Sequence, residues 1–242
     1  MHGCFYSSGR FFDLTAHIFE KSKKRVVNYI KVRYAYHRMG ENYGILSIMF
    51  IRVRRMKKKL SEMSLEELWQ LFPIFLTEHQ ECWKEWYFEE ESRLKNVIPK
   101  CERISHIGST AVSSIWAKPI IDILVEVPRG SDLLDYKDCI VSNGYICMSQ
   151  GEDRVSFNKG YTEDGFAERV FHLHLRYAGD NDELYFRDYL MKYPKVAKEY
   201  EELKLSLWKE FEHNRDGYTD AKTEFVKTHT EKARILYGNR YQ

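Results

Sequence analysis

The chain has 242 residues, 43% of them hydrophobic, and a formal net charge of +2 at pH 7. This length allows one large domain or two small ones with a real core, whereas the longest apolar run, Gly44 to Ile51, falls far short of the roughly 20 residues that span a bilayer. The five cysteines are odd in number, widely spaced and without a C-x-x-C pair, which argues against a disulfide framework or a zinc knuckle. Arg10 and Asp13 also interrupt the apolar residues at the amino terminus, where a secretory signal would be continuous. A cytoplasmic protein without a membrane partner is predicted.

Charge is distributed unevenly along the chain. Residues 1–55 carry eleven basic against three acidic residues, and the remainder carries 27 against 33. An acidic body does not favour nucleic-acid binding, which needs a concentrated positive surface. The basic segment 1–55 is either an RNA- or membrane-binding arm, or a poorly ordered extension that is not native, with Met56 as the true start. The second interpretation is preferred because every organised pattern begins after Met56, so residues 56–242 are predicted to form one domain.

The first predicted elements of this domain are helical. Ser64 and Glu67 have the spacing of a capping box before a short helix, which Pro73 limits. An apolar strand is predicted over Leu71–Leu76, and an amphipathic helix over Glu78–Lys95. A further helix is predicted over Ser131–Asn143, closed by Gly144.

Strand patterns occupy the middle of the domain and helical patterns its carboxyl third. The strands are predicted over Arg103–Ile107, Pro119–Val127, Tyr145–Met148, Arg154–Asn158 and Arg169–Arg176, with a turn near Gly160–Gly165. The helices are predicted over Asp182–Lys192, Lys195–Glu210 and Thr219–Tyr237. A central sheet with helices before, within and after it indicates an α+β fold, or a mixed α/β fold.

The most informative segment is SHIGSTAVSSIWAKPIIDILVEV, which runs from Ser105 to Val127. Gly108 permits a close backbone approach, and the amides and hydroxyls of Ser109 and Thr110 can cradle a phosphate. Asp122 is the carboxylate of an otherwise apolar strand centre and could hold a divalent cation that bridges the phosphate. The segment therefore predicts a phosphate and metal site.

This segment, with RVFHLHL, FRDYL, YEELKLSL and YTDAKTEF downstream, resembles the signature of the GrpB family, within the nucleotidyltransferase superfamily. The resemblance covers essentially all of residues 56–242. It implies a nucleotidyltransferase-like mixed sheet flanked by helices, and a Gly-Ser turn beside the phosphates of a nucleotide. It also implies two carboxylates two residues apart on the next strand, but Leu124 stands at the second position. Glu126 cannot replace it, because four strand residues separate it from Asp122 by about 13 Å.

His172 and His174 are the candidates to complete a metal site with Asp122. They lie two apart on a predicted strand, so their side chains share a face, and the resemblance implies that this strand lies beside Asp122. Such a site would favour Mn²⁺, Zn²⁺ or Fe²⁺ over Mg²⁺, which prefers oxygen ligands. The alternative is that both histidines make ordinary hydrogen bonds in a half-buried strand.

Several single residues have a functional and a structural interpretation. His106 could contact a phosphate or act as a catalytic acid or base, or be a hydrogen-bonding group at a strand end. Lys118 could bind a phosphate or be an exposed lysine. In the carboxyl-terminal helices, Arg187, Lys204 and Lys222 could recognise phosphate, or could be solvated charges on packed helices.

These observations predict a metal-dependent nucleotidyltransferase-like protein that binds a nucleotide or related phosphate compound, with Asp122 as principal metal ligand. The fusion of GrpB-family members to dephospho-coenzyme A kinase suggests, by analogy, a role in coenzyme A metabolism. Two alternatives stay open. One is a nucleotide-binding module that has lost transfer chemistry together with the second carboxylate, and the other is a protein-interaction scaffold.

Overall fold

A five-stranded mixed sheet forms the centre of the protein, and the computed structural model describes residues 58–242. The predicted basic extension, residues 1–55, lies outside the described residues. Residues Lys58–Gln242 form one compact unit. Among its helices, none is both long enough and apolar enough to cross a membrane.

The strands lie in the order β1-β2-β5-β4-β3 across the sheet. Their bounds are β1 Arg103–Ile107, β2 Ile121–Val127, β3 Ile146–Gln150, β4 Arg154–Thr162 and β5 Gly165–Tyr177. The central pair, β2 and β5, is parallel, and every other neighbouring pair is antiparallel. The parallel pairing sets Asp122 opposite His172 and Leu124 opposite His174.

Six α-helices surround the sheet in the described residues. They are α1 Leu65–Leu71, α2 Cys82–Val97, α3 Lys137–Ser142, α4 Asp182–Lys192, α5 Pro194–Glu210 and α6 Arg215–Tyr237. The predicted capping box is present at α1, where the Glu67 amide donates to Ser64 Oγ and the Ser64 amide donates to the Glu67 carboxylate. The predicted bounds of α4 are confirmed.

The side chains of β2 and β5 alternate between the two faces of the sheet, and different helices cover each face. Ile121, Ile123 and Val125 pack with Leu173 and Leu175 in the main core, which α2 and α3 cover with Trp83, Leu94 and Ile140. The intervening residues, among them Asp122 and His172, face the other side, because successive strand side chains point to opposite faces. There α4 contributes Leu184 to a small cluster with Ile107 and Leu124. The α+β fold, the mixed sheet flanked by helices and the helical carboxyl third are confirmed.

Two local predictions are wrong. Leu71–Leu76 is not a strand: Leu71 ends α1, the Ile74 amide donates to the Glu212 carbonyl, and the only pairing nearby is an isolated bridge from Thr77 to Ala117. Burial does alternate there, with Phe72, Ile74 and Leu76 in the interior, but no strand lies alongside. The predicted helix Ser131–Asn143 is a 3₁₀ turn, Leu133–Tyr136, followed by α3. The turn predicted near Gly160–Gly165 is confirmed at residues 163–164, and the strands on both sides are longer than predicted, with β4 ending at Thr162 and β5 beginning at Gly165.

Candidate functional site

The turn after β1 brings the backbone against Asp122. Gly108 has φ +70° and ψ −173°, a region that only glycine adopts freely. A Cβ atom at this position would lie 2.3 Å from Asp122 Oδ2. The turn is therefore built around the Asp122 carboxylate, and this contact explains why the sequence has glycine here.

One carboxylate oxygen of Asp122 lies close to two histidines of β5. His172 Nδ1 lies 3.2 Å from Asp122 Oδ1, and His174 Nε2 lies 3.7 Å from the same oxygen. Burial opposes ionisation of Asp122, but hydrogen bonds from His172 and His174 outweigh it and lower the pKa of the carboxyl. Desolvation lowers the pKa of His172 despite the neighbouring carboxylate. At neutral pH the carboxylate is charged and His172 is neutral.

A chain of polar contacts leads from α6 to this carboxylate. Arg215 Nη2 donates to the Tyr161 hydroxyl over 2.8 Å, and the Tyr161 oxygen lies 2.8 Å from His172 Nε2. Because arginine can only donate, the Tyr161 oxygen accepts from Arg215, and its second lone pair and its own proton allow it either to accept from His172 Nε2 or to donate to it. His172 Nδ1 faces Asp122 Oδ1 on the other side of the ring. Arg215 and Tyr161 thus hold the imidazole of His172 in place beside Asp122.

Tyr161 reaches this face of the sheet at a bulge in the pairing between β4 and β5. The register of β4 against β5 shifts between Lys159 and Tyr161, and Gly160 between them has φ +89°. Lys159 reaches Glu90 of α2 on the opposite face, so strict alternation would place Tyr161 there too. Between these two pairs β4 advances two residues, from Lys159 to Tyr161, while β5 spans five, from Phe171 to Phe166, so the extra residues of the bulge lie in β5. The positive φ of Gly160 turns Tyr161 towards His172.

Three lysines converge on a cavity of about 130 Å³ beside Asp122. Lys118 precedes β2, Lys204 lies in α5 and Lys222 in α6, and within residues 58–242 none of the three forms an ion pair with a carboxylate. Burial, with added repulsion from Lys222, lowers the pKa of Lys118 to about 7 and that of Lys204 to about 7. Burial also lowers the pKa of Lys222 to about 8. Crowded lysines without anionic partners are suited to binding an anion.

The Tyr218 side chain occupies the space between two of these lysines. Lys118 Nζ lies 5.0 Å and Lys222 Nζ 4.2 Å from the centre of its ring. Tyr218 is fully buried and lines the cavity, yet its hydroxyl has no hydrogen-bond partner among residues 58–242. An unpaired buried hydroxyl costs on the order of 1–3 kcal/mol, so this one is available to a ligand.

The Gly-Ser turn offers fewer free groups to a phosphate than the sequence predicts. The Thr110 hydroxyl donates to the Ile120 carbonyl over 3.0 Å and accepts from His106 Nε2 over 3.0 Å. Ser109 lines the cavity and interacts with the Tyr200 hydroxyl. His106 stacks on Tyr87, and desolvation lowers its pKa to about 4. His106 therefore supports the turn through Thr110 and is not among the cavity residues.

Arg187, predicted as a phosphate contact, does not line the cavity. Its guanidinium donates to the His106 carbonyl over 2.8 Å and pairs with Asp188 at 2.8 Å. It thus anchors the end of β1 to α4. Lys204 lies in the cavity, as predicted, and also donates to the Trp116 carbonyl.

The position of the missing carboxylate is part of the core. Leu124 is completely buried and packs with Ile107 and Leu184. Glu126 is occupied elsewhere, because it accepts from the Gly179 amide at 3.1 Å and from Asn181 Nδ2 at 2.9 Å. Asp122 is therefore the single carboxylate of the three-residue cluster with His172 and His174, the one potential metal-binding group in residues 58–242.

Sequence reasoning did not assign a site role to Tyr161, Arg215 or Tyr218. Tyr218 could have been found, because it lies four residues before Lys222 and therefore on the same face of a helix. No sequence signal marks Tyr161, since the bulge that aims it depends on pairing with β5.

Comparison with known proteins identifies relatives of this chain. The family model described as GrpB protein matches residues 73–232. Glutamate-rich protein GrpB of Alkalihalophilus pseudofirmus is 36% identical over 160 residues, which are 63% of this chain and 91% of that protein. UPF0157 protein YqkA of Bacillus subtilis is 33% identical over 183 residues, 73% of this chain, and the chain spans only 52% of that longer relative. The crystal structure of conserved protein GrpB from Enterococcus faecalis matches with a TM-score of 0.58 and 30% identity, covering 67% of this chain and 99% of that one. This chain belongs to the GrpB family.

Proposed function

We propose that this protein binds a nucleotide or a related phosphate compound, together with a divalent cation, in the cavity between β2 and helices α5 and α6. The observation that carries the proposal is the convergence of Lys118, Lys204 and Lys222 beside Asp122 in one cavity. Burial lowers the pKa values of the three lysines, and the nearby carboxylates of Asp122 and Glu201 only partly oppose this effect. A phosphate group would compensate them and accept from the unpaired Tyr218 hydroxyl.

The cluster of Asp122, His172 and His174 fits a transition-metal ion. One ligand atom from each residue lies within 4.8 Å of the others. Two ligands of a tetrahedral ion with bonds of about 2.0–2.1 Å lie roughly 3.3 Å apart. The separations of 3.2 Å and 3.7 Å from Asp122 Oδ1 are close to that spacing. One oxygen and two imidazole ligands favour Mn²⁺, Zn²⁺ or Fe²⁺ over Mg²⁺.

Holding such an ion requires a change in the hydrogen bonds of His172. Its Nδ1 would bind the ion without a proton, and Nε2 would then donate to the Tyr161 oxygen. This arrangement matches the usual support of a metal-bound histidine by a second hydrogen-bonding group. Tyr161, held by Arg215, is thereby a positioning residue for the cation site.

Nucleotidyl transfer is the reaction that this arrangement supports best. A divalent cation at Asp122 would supply activation of an acceptor hydroxyl and stabilisation of charge on the α-phosphate. The chain itself contributes the three lysines, which bind the phosphates, and the Gly108 turn, which fixes the carboxylate. The link to coenzyme A metabolism continues to rest on the fusion analogy alone.

A second candidate function is nucleotide binding without transfer. Leu124 favours it, because a buried leucine stands where the resemblance implies the second metal-binding carboxylate. With one carboxylate, two metal ions cannot be held as in a symmetric two-metal mechanism. The lysine cavity would still bind phosphate.

Calorimetric titration of the full chain with nucleoside triphosphates, with and without Mn²⁺, tests both candidates. We expect binding to strengthen with Mn²⁺ in the wild type, and the Mn²⁺ effect to disappear in Asp122→Asn, which keeps the shape but not the charge. Asp153→Asn, an exposed change before β4, is the matched control and should behave as wild type. Pyrophosphate release on adding acceptor hydroxyl compounds would support transfer. Binding that does not depend on Mn²⁺ would support the second candidate, and absence of binding would refute both.

A further inference from the structure

A second cavity adjoins the lysine cavity and differs from it in chemistry. It measures about 220 Å³ and has largely apolar walls, formed by Phe75, Pro119, Phe166, Ala167 and Val170, with Arg215 at one side. Lys118 and Ile120 line both cavities. The two cavities are therefore neighbours across the residues that lead into β2.

Volume indicates that the two cavities act together. Neither reaches the roughly 300 Å³ at which small-molecule pockets begin, but at about 220 Å³ and about 130 Å³ they reach it when joined. One half is cationic and the other apolar with aromatic walls. A single ligand that fills both must carry a phosphate at one end and a flat apolar group at the other.

The walls of the second cavity suit a planar ring. Phe166 packs edge to face with Phe75, with ring centres 6.2 Å apart, and also contacts Phe72 and Tyr161. These contacts fix the orientation of Phe166, so the cavity presents a rigid aromatic surface. Stacking of a nucleobase on an aromatic side chain is tolerant of base identity because every base has a π-face.

We propose that the second cavity binds the nucleobase of the phosphate ligand. The phosphates then lie among Lys118, Lys204 and Lys222, and the ribose passes Lys118 and Ile120 between the cavities. Arg215 contacts both halves of this arrangement, because it lines the base cavity and also donates to Tyr161, the partner of His172. The ligand class is consequently a nucleoside polyphosphate, not a simple polyphosphate or a small phosphorylated sugar. The assignment rests on the proposed phosphate-binding function.

The test compares ATP with inorganic tripolyphosphate on the full chain at one fixed Mn²⁺ concentration. Ala167 is exposed on β5 and lines only the base cavity, so Ala167→Trp should fill that cavity without unfolding the chain. Ser142→Trp adds the same indole at an exposed site in α3 that lines neither cavity. Binding constants for both ligands are measured for the wild type and the two variants.

We expect wild type to bind ATP at least about fivefold more tightly than tripolyphosphate, because the stacking of one base contributes at least about 1 kcal/mol. Ala167→Trp should lose that difference while tripolyphosphate affinity stays unchanged, and Ser142→Trp should match the wild type. Equal affinities for the two ligands in wild type, or an Ala167→Trp variant that keeps its preference for ATP, would overturn the base assignment and leave the phosphate proposal standing. Failure of both ligands to bind would overturn the proposed function, and the base assignment with it.

Discussion

At the scale of single residues, Gly108 and Asp122 are coupled through direct contact. Because Asp122 Oδ2 occupies the place of a Cβ atom at Gly108, any side chain there would displace the carboxylate or the turn. The backbone conformation adds a second penalty, since φ +70° with ψ −173° is accessible almost only to glycine. The two penalties can be separated by substitution.

We expect Gly108→Ala to lower the free energy of unfolding by more than about 2 kcal/mol, measured by urea denaturation. In an Asp122→Ala background the contacts with the carboxyl group are gone and only a tight contact of 3.1 Å with the Cβ of residue 122 is left, so the loss should be smaller and close to the backbone cost of about 1–3 kcal/mol. Gly130→Ala is the control, because a Cβ there meets nothing within 4 Å. Equal losses in the two backgrounds would contradict the contact.

The lysine cavity predicts a dependence of stability on pH. The pKa of Lys222 is about 8 in the folded protein and near 10.5 when unfolded. Below pH 8 both states are protonated, and the folded state bears the full cost of a buried charge. Between pH 8 and 10.5 the unfolded state binds more protons, so that cost fades as the pH rises.

Lys222→Met should therefore be more stable than the wild type near pH 7, by roughly 1–3 kcal/mol. Its advantage should shrink steadily from pH 8 to 10, which urea denaturation at several pH values would show. Lys227→Met removes an exposed charge from the same helix and should give a constant, small difference. An advantage of Lys222→Met that does not change with pH would contradict the buried-charge explanation.

At the scale of elements, the bulge between β4 and β5 decides which side chain reaches the histidines. A Cβ at Gly160 would lie 2.2 Å from the Arg169 carbonyl oxygen, so β5 leaves no room for a side chain at the bulge. To relieve this clash, β4 would have to lose either the bulge or its pairing with β5. Either change removes Tyr161 from His172.

Gly160→Ala should lower the free energy of unfolding by at least about 2 kcal/mol and shift the imidazole NMR signals of His172. Gly144→Ala is the matched control, because Gly144 also has φ +89° but a Cβ there meets only a Lys159 side-chain carbon at 3.8 Å. It should show the backbone cost without the change at His172. Unchanged His172 signals in Gly160→Ala would mean that the bulge does not position Tyr161.

At the scale of the whole molecule, local sequence patterns predicted most helices and strands well, but they did not predict which side chains meet in the site. β1 and α4 follow from alternation and helical period, and Asp122 meets His172 because both strands are central and parallel. The segment Leu71–Leu76 shows the limit, since alternating burial there comes from packing without a neighbouring strand. The three lysines were candidates one by one, but their convergence depends on how α5 and α6 dock, which no local pattern encodes.

The lysine cavity also has a consequence for the order of folding. Lys118 precedes β2, whereas Lys222 and Tyr218 lie in α6, about a hundred residues later, so these contacts close a long loop and form late. A ligand held between them binds only a molecule in which α6 has docked, and mass action then favours that state. The proposed ligand would therefore stabilise molecules in which α6 has docked and leave partly folded ones unoccupied.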